Sequence, residues 1–349
     1  MNVDLASMNC LINFESSVAS LLETLVTQTE IESIRQHLEL SQVPLVLTHE
    51  RPDGDAIGSL LAMGLALKSM GKQPRLAIVD GVPARFQFLP GASEVQRRLP
   101  DSFDLLIVLD CADMGRIGYD LARLGKRPDI NIDHHPTNEN FASINYVQHE
   151  AAATAELLYH LFLELKIPID QAMSQPLMLG ILTDTIGFRT TSVHPGLLRI
   201  AADLLEKGAH LSDLYDRALN QRSFLGSKYW GRGLLHLERQ GEMLWTELTL
   251  EDRKAVDYPG NDDADLVNLL TTIEAPSIVL IFVEQTDNKV KVSWRSKLGY
   301  NVARVATSFG GGGHEQAAGA MIVGSLEEVK AKVLHNTQKL LETPTEEQA

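Results

Sequence analysis

Four stretches of the chain concentrate aspartate and histidine, the side chains that hold catalytic divalent metal ions. They are residues 48–56 (THERPDGDA), 109–113 (LDCAD), 132–136 (IDHHP) and 182–185 (LTDT). A hydroxide that attacks phosphorus at neutral pH needs divalent ions, and those ions need carboxylate and imidazole ligands from several loops. The four stretches, all expected at strand ends, together predict a two-metal centre that hydrolyses phosphoesters.

The first stretch places His49, Asp53 and Asp55 in one loop between a predicted strand and a predicted helix. Pro52 restrains the preceding backbone, so the three side chains can converge. The alternative is an aspartate-rich turn that caps the helix at Ala56. This stretch alone favours neither interpretation.

Two further carboxylates follow apolar runs. Asp110 comes after residues 105–109, and Asp184 comes after residues 178–182. Each of them alone could be an ordinary cap. The coincidence of four such stretches favours a functional site.

The pair His134 and His135 follows Asp133 at the end of a short apolar run. Adjacent histidines point in different directions, so one can ligate a metal while the other faces a substrate. A single histidine would more often be structural or simply exposed, whereas this pair beside an aspartate favours function.

In the second half of the chain, glycines 310–313 lead into His314 and then into the small residues 317–320. Backbone N–H groups in a glycine run can approach phosphate oxygens closely. The alternative is a flexible linker. Arg295 ends a predicted strand and offers a planar fork suited to phosphate, although it could equally be a surface residue.

The elements that must position these residues form two patterns. Strands predicted at residues 43–47, 75–79, 105–109 and 130–132 alternate with helical segments such as 57–70, which indicates an α/β fold with a doubly wound parallel sheet. Ligands bind such sheets beyond the carboxyl ends of the strands, where three of the four stretches lie. Two further helices are predicted at about residues 150–166 and 195–207.

The pattern changes towards the C-terminus. Strands are predicted at residues 243–250, 277–284 and 290–294, and helices at 302–308 and 326–341, which together indicate a smaller α+β domain. The predicted organisation is an N-terminal extension (1–30), a metal-binding domain (31–211), a helical connector (212–233), a substrate-binding domain (234–342) and a tail (343–349). The active-site cleft is expected between the two domains.

Composition narrows the class of protein. A length of 349 residues favours two domains, and two cysteines, Cys10 and Cys111, indicate a reducing compartment. No apolar run reaches the roughly 20 residues of a membrane span, and no basic export signal begins the chain. A cytoplasmic protein without a membrane partner is therefore expected. A net charge of −15 argues against binding of long nucleic acid but allows a small anionic substrate.

The motifs resemble those of the DHH/DHHA1 phosphoesterase family over about residues 31–323. Residues 49–59 match the pattern H-x-x-P-D-x-D-A-x-G-S, residues 133–135 match the D-H-H of the family name, and residues 311–319 match the pattern GGGH-x-x-AAG. The resemblance implies that two manganese ions are held by six residues: His49, Asp53, Asp55, Asp110, His134 and Asp184.

The resemblance also implies roles for the remaining candidates. Asp110 and Asp184 would bridge the ions, and His135 would face the scissile phosphate as a catalytic residue. The nucleotide or its terminal phosphate would be gripped by Arg295, Gly311, Gly312, Gly313 and His314. The mechanism implied is attack by a metal-bridging hydroxide.

A chain with nothing appended resembles the stand-alone oligoribonuclease and pAp phosphatase group of this family. Substrates expected on that basis are short oligonucleotides, dinucleotides and pAp. The alternatives are a phosphodiesterase for cyclic dinucleotides such as c-di-AMP, a RecJ-like single-strand exonuclease and a nucleotide sensor without turnover; the complete ligand set argues against the sensor. The natural substrate, the polarity of digestion and the oligomeric state stay open, with a homodimer as one option.

Overall fold

The structure is a computed structural model that describes residues 28–121 and 125–342. The chain divides into two compact units, Met1–Gln221 and Arg222–Ala349. The division falls inside the connector predicted at residues 212–233. The predicted tail and nearly all of the predicted N-terminal extension lie outside the described residues.

The first unit contains a five-stranded parallel sheet in the order β2-β1-β3-β4-β5. Its strands are β1 (Pro44–Leu47), β2 (Arg75–Ala77), β3 (Leu105–Leu109), β4 (Ile130–Asp133) and β5 (Ile144–Val147). This arrangement confirms the predicted α/β fold. Strand β5, with the sequence INYV, was not predicted.

One described helix of the first unit precedes the sheet, one lies between β1 and β2, and four follow β5. They are α1 (28–40), α2 (Gly54–Ser69), α3 (Thr154–Glu164), α4 (Gln171–Asp184), α5 (Pro195–Glu206) and α6 (Leu211–Tyr215). A π-helical turn, Asp216–Asn220, follows α6, and 3₁₀ turns lie at Ala84–Phe86, Ala92–Glu94 and Met114–Ile117.

Alternate residues of the strands face two separate apolar clusters. In β1, Val46 packs with residues from α1 to α5, while Leu45 and Leu47 pack on the other face with Ile117 and Phe141. The two-residue periodicity of a strand produces this division. Both faces of the sheet are therefore covered by apolar side chains.

The sequence predicts a strand before Asp184, but the structure has a helix there. Residues 178–182 lie inside α4, and Asp184 is the last residue of that helix. Apolar composition does not distinguish a short buried strand from a segment of a buried helix. Pro176 makes the helix still harder to predict from sequence, because proline is rare inside helices. The carboxylate therefore reaches the site from a helix.

The second unit contains a six-stranded mixed sheet in the order β10-β11-β9-β8-β7-β6. Its strands are β6 (Glu238–Gln240), β7 (Met243–Leu248), β8 (Ile278–Gln285), β9 (Lys289–Ser296), β10 (Gly312–His314) and β11 (Ala317–Val323). Its helices are α7 (Phe224–Leu235), α8 (Leu250–Ala255), α9 (Leu266–Leu270), α10 (Val302–Ser308) and α11 (Leu326–Glu342). The prediction of a second α+β domain is confirmed.

The glycine run forms part of a β-hairpin rather than an isolated loop. Gly312–His314 pairs antiparallel with Ala317–Gly319, leaving Glu315 and Gln316 as the turn. A Cβ atom at Gly311 or Gly313 would collide with the backbone of β11. These two glycines are thus needed for close packing of the hairpin.

Candidate metal centre

Three neighbouring strands deliver the first three stretches to one edge of the sheet. Because β1, β3 and β4 are adjacent and parallel, their carboxyl ends meet. His49 follows β1, Asp110 follows β3, and Asp133 is the last residue of β4. Asp110 adopts a left-handed backbone conformation with φ of 52°, which turns the chain sharply after the strand.

His49, Asp53 and Asp110 form one group of potential ligands. His49 Nε2 lies 3.6 Å from Asp110 Oδ2 and 3.9 Å from Asp53 Oδ1. His49 Nδ1 is 2.8 Å from the carbonyl oxygen of Glu50, and donation to this oxygen assigns the ring proton to Nδ1. In the neutral ring, the Nε2 lone pair is then available to a metal ion on the side of the two carboxylates.

Asp53 also caps helix α2, which is the alternative interpretation of this residue. Its Oδ1 accepts hydrogen bonds from the backbone N–H groups of Asp55 and Ala56, at 3.1 and 3.0 Å, and so caps α2. A capping carboxylate has two oxygens, and the cap uses only Oδ1. The capping and metal-binding interpretations of this residue are therefore compatible.

Asp55 is fully buried and held by three donors. Its Oδ2 accepts from the N–H of Thr154 at 2.6 Å, and its Oδ1 accepts from the N–H of Ala155 at 3.0 Å and the hydroxyl of Ser59 at 3.2 Å. The first turn of α3 thus supplies orphan N–H groups to a carboxylate of α2. This fixes the orientation of Asp55 without any contribution from a metal.

Asp55 forms a second group with His134 and Asp184. His134 Nε2 lies 3.0 Å from Asp184 Oδ2, and His134 Nδ1 is 3.2 Å from the carbonyl oxygen of Ala151. Asp184 reaches this group because α4 packs closely on α2. Gly58 and Gly180 make that approach possible, since a Cβ atom at either would collide with the opposite helix.

Asp110 lies between the two groups. Its Oδ2 faces His49, while its Oδ1 lies 3.8 Å from His134 Nε2 and accepts a hydrogen bond from the Thr154 hydroxyl at 3.0 Å. One oxygen directed at each group is what a bridging ligand needs. Asp184, by contrast, contacts only the second group. The bridging roles of both residues stay predictions.

Burial and charge set the pKa values of the site in opposite directions. Burial alone would raise the pKa of Asp110, but the hydrogen bond from His49 and the charges of the three nearby histidines hold this pKa well below its usual range. Burial raises the pKa of Asp184 to about 6. For His49, burial acts to lower the pKa, but Asp110 and Asp53 outweigh it and raise the value to about 9.

These residues fit divalent cations. The described residues contain three groups whose ligand atoms lie within 4.8 Å of one another: Asp110, His134 and His135; His49, Asp53 and Asp110; and Asp55, His134 and Asp184. Buried carboxylates at such distances repel one another, and a bound cation removes this repulsion. The mixture of imidazole and carboxylate donors suits a divalent transition metal.

His135 lies beside the candidate metal centre, and its ring contacts the Asp133 carboxylate. Its Nδ1 is 2.7 Å from Asp133 Oδ1 and 3.8 Å from Asp110 Oδ1. The buried Asp133 raises the pKa of His135, against the lowering effect of burial. The structure therefore brings His135 next to the predicted metal ligands.

In the second unit, the structure places Arg295 and His314 at one level of the sheet. Arg295 pairs with Ala317, and Ala317 pairs with His314, so the three side chains project from the same face. The Arg295 guanidinium donates to the carbonyl oxygen of Trp294 at 2.9 Å. Burial lowers the pKa of Arg295, and the charges of Asp263 and Asp265 act against this lowering.

Thr154 and Asp133 were missed as contributors to the site. Thr154 binds both Asp55 and Asp110, and Asp133 holds His135. The signal for Asp133 was present, since it lies beside His134 in the sequence. No sequence signal marks Thr154, because its contacts are with residues 99 and 44 positions away.

Comparison with known proteins identifies the family. A model of the DHH family N-terminal domain matches residues 44–181, and a model of the DHHA1 domain matches residues 256–343. The chain belongs to the DHH family. The resemblance inferred from the motifs is thereby confirmed.

Relatives of this DHH protein align over most of its length. The chain is 36% identical over 303 residues to a bifunctional oligoribonuclease and PAP phosphatase of Thermus thermophilus, covering 85% of this chain and 89% of that one. It is 24% identical over 289 residues to the Bacillus subtilis protein of the same name, covering 78% and 87%. These similarities confirm the prediction of a hydrolase that acts on phosphoester bonds.

Solved structures of similar proteins support the same fold. An exopolyphosphatase-related protein of Bacteroides fragilis has a TM-score of 0.80 and 27% identity, covering 90% of this chain and 96% of that one. RecJ of Thermus thermophilus, solved in complex with Mn²⁺, has a TM-score of 0.53 and 12% identity, covering 91% and 55%. The second similarity shows the fold alone.

In the described part of this DHH protein, no helix is long and apolar enough to cross a membrane.

Proposed function

We propose that this protein is a manganese-dependent phosphoesterase that hydrolyses short oligonucleotides, pAp or both. The observation that carries the proposal is the convergence of His49, Asp53, Asp55, Asp110, His134 and Asp184 into groups of ligand atoms within 4.8 Å. The substrate class is supported by relatives named oligoribonuclease and PAP phosphatase, which align over most of both chains.

The metal ligands fall into two sets that share Asp110. One ion would be held by His49, Asp53 and Asp110, and the other by Asp55, His134, Asp184 and Asp110. Two divalent ions held in this way would supply a hydroxide nucleophile at neutral pH and neutralise charge on the phosphoryl group. Manganese is proposed because nitrogen and oxygen donors are mixed.

The chain's own residues orient and stabilise the reacting phosphate. Asp133 fixes the His135 ring through Nδ1, so Nε2 is the nitrogen that would contact the phosphoryl or leaving oxygen. A protonated ring would neutralise negative charge there or donate a proton to the leaving oxygen. In the metal-free protein, the contact with Asp133 raises the pKa of His135 against the lowering effect of burial.

The second unit is proposed to hold the part of the substrate that does not react. Arg295 and His314 lie on one face of its sheet, two strands apart and at the same level, which is about 10 Å between backbones. A guanidinium and an imidazole at that spacing suit a terminal phosphate or a base edge. Gly312 projects no side chain from this hairpin, and a Cβ there would meet no atom within 4 Å, so a ligand can approach its backbone.

Substrate length provides the test of the proposal. Rates should be compared on pAp, a linear dinucleotide, a cyclic dinucleotide and single strands of some tens of nucleotides, all with manganese. We expect the highest rates on pAp or the linear dinucleotide and a steep fall on long strands, because a chain with net charge −15 gains little from counterion release. Equal rates on dimers and long strands would reassign the protein to the exonucleases, and a preference for the cyclic substrate would reassign it to the cyclic-dinucleotide phosphodiesterases.

A further inference from the structure

A network of side-chain amides lies behind His135. Asn131 is buried in β4, and Asn138 is half-buried in the loop that follows the histidine pair. Neither residue belongs to the groups of potential metal ligands. Their contacts connect the loop that carries His135 to the segment that carries Asp110.

The orientation of the Asn138 amide follows from its partners. Its Oδ1 accepts a hydrogen bond from the backbone N–H of Asn140 at 2.7 Å, so the other side of the amide must be the NH₂ group. That nitrogen lies 2.6 Å from Asp133 Oδ2 and 2.8 Å from Asn131 Oδ1. Asn138 therefore donates to the buried carboxylate of Asp133.

Asp133, held by Asn138, in turn contacts the ring of His135. One of its oxygens accepts from Asn138, and the other lies 2.7 Å from His135 Nδ1. A carboxylate held at only one oxygen can rotate about its Cβ–Cγ bond, whereas one held at both oxygens cannot. The chain Asn138–Asp133–His135 therefore fixes the plane of the imidazole.

The same two amides also contact backbone carbonyl oxygens on either side of Asp110. The Asn131 NH₂ group lies 3.3 Å from the carbonyl oxygens of Val108 and Cys111, and the Asn138 NH₂ group also lies 3.3 Å from that of Cys111. Between these carbonyls, Asp110 adopts its left-handed conformation. Such a conformation persists only where surrounding contacts maintain it.

We propose that Asn138 is a positioning residue for phosphoester hydrolysis, which acts through Asp133 on the orientation of His135. This rests on the proposed function, in which His135 contacts the phosphoryl group. Replacement of the partners that orient metal-ligating histidines typically costs about 10- to 100-fold in activity, and we expect an effect of similar size here. The donor character of the amide is the essential property, since Asp133 needs a hydrogen on that side.

The replacement Asn138→Asp tests this donor. It keeps the size of the side chain and the acceptor for Asn140, but it turns an oxygen towards Asp133. We expect kcat on the dinucleotide to fall by at least about tenfold, with little change in KM, because the residues proposed to hold the substrate are untouched. Asn138→Ala removes the donor without adding a charge, so its loss should be no greater than that of Asn138→Asp.

Asn145→Asp is the matched control. The Asn145 amide also bridges backbone groups, accepting from the N–H of Ala142 at 3.0 Å and donating to its carbonyl at 2.9 Å. Both of these hydrogen bonds are with Ala142 rather than with Asp133. We expect this variant to retain kcat within about twofold, even if its melting temperature falls, because its side chain lies outside the chain of contacts that orients His135.

A double variant separates positioning from structural support. If Asn138 acts through His135, then Asn138→Asp should cost no further activity once His135→Ala is present. An additional loss in the double variant would overturn the proposal. So would an Asn138→Asp variant that is more active than Asn138→Ala, since that order would show that shape rather than donation matters.

Crystal structures of the variants give a readout that does not depend on activity. In Asn138→Asp we expect the 2.7 Å contact between His135 Nδ1 and Asp133 Oδ1 to be lost, and in Asn145→Asp we expect it to be kept. An unchanged His135 ring in Asn138→Asp would contradict the positioning role. A wild-type protein without nucleotide hydrolysis would contradict the proposed function instead, and the structures would still decide the positioning role.

Discussion

Gly180 of helix α4 packs directly against the carboxylate of Asp55 at the start of α2. A Cβ atom at position 180 would collide with Asp55 Oδ1 and with the side chain of Ala155. Asp55 is already fixed by the N–H groups of Thr154 and Ala155. The absence of a side chain at Gly180 therefore allows α2, α3 and α4 to meet at the metal centre.

The substitution Gly180→Ala should weaken both stability and metal binding. The methyl group must displace Asp55 or Ala155, and overpacking of this kind costs about 1–3 kcal/mol of unfolding free energy. Because Asp55 is one of the displaced groups, manganese affinity should fall as well. Denaturant unfolding and a manganese titration measure the two effects.

Gly231→Ala is the control for that experiment. Gly231 also lies in a helix, α7, but a Cβ atom there would meet no atom within 4 Å. This variant should be as stable as the wild type or slightly more so, since alanine favours helix. Normal stability and normal manganese affinity in Gly180→Ala would show that the helices can move apart without disturbing Asp55.

Asp110→Ala and Asp184→Ala should each reduce the rate by about a thousandfold or more, as removal of central catalytic groups does. The metal-free fold of Asp184→Ala should survive, because the raised pKa of Asp184 indicates an unfavourable environment for its charge, which the change relieves. Asp110→Ala should impair both ions, since Asp110 faces both groups of ligands. The metal content of each purified variant, measured beside its turnover, checks this assignment. A variant with two ions and near-normal turnover would exclude a bridging role for that residue.

Removal of metal should abolish activity, and manganese should restore it far better than magnesium. The mixed nitrogen and oxygen ligand set is the reason for this preference. Activity is measured after treatment with a chelator and after addition of each ion. Full activity in excess chelator would contradict the proposed mechanism.

The metal-free protein should also lose stability as pH rises from about 6.5 to 9. The pKa of His49 is raised to about 9, so the folded state binds this proton more tightly than the unfolded state. The stabilisation is present below the unfolded pKa of about 6.5 and is lost as pH rises through about 9. Manganese needs the neutral ring, so its stabilising effect should grow over the same interval. The free energy of unfolding, measured at both pH values for chelator-treated and for manganese-loaded protein, checks this prediction.

Arg295→Ala and His314→Ala should weaken use of pAp or dinucleotides by about 1.5–3 kcal/mol each, the scale of a charge-assisted hydrogen bond. Hydrolysis of a small generic phosphodiester should hardly change, because these residues are proposed to hold only the part of the substrate that does not react. Arg304→Ala, at an exposed position of α10, serves as the control for loss of one positive charge. Equal losses on both substrates would place Arg295 and His314 in the chemical step or in folding.

The sequence by itself determined the family, the parallel sheet and which residues are candidates for the metal centre. Asp110 directly follows strand β3, and the pair His134 and His135 directly follows strand β4, which ends at Asp133. Parallel strands bring their carboxyl ends to one edge whatever the rest of the fold does. Local order along the chain therefore sufficed to predict that these residues converge.

Only the tertiary structure decided how the remaining groups reach this edge. Asp184 arrives from a helix rather than a strand, because Gly58 and Gly180 let α4 approach α2 closely. Thr154 contacts Asp55 and Asp110 across about a hundred and about forty residues of sequence. Contacts between residues so distant in sequence depend on packing distances that periodicity and motif spacing do not encode. The same holds for the register of β10, β11 and β9, which sets Arg295 and His314 on one face.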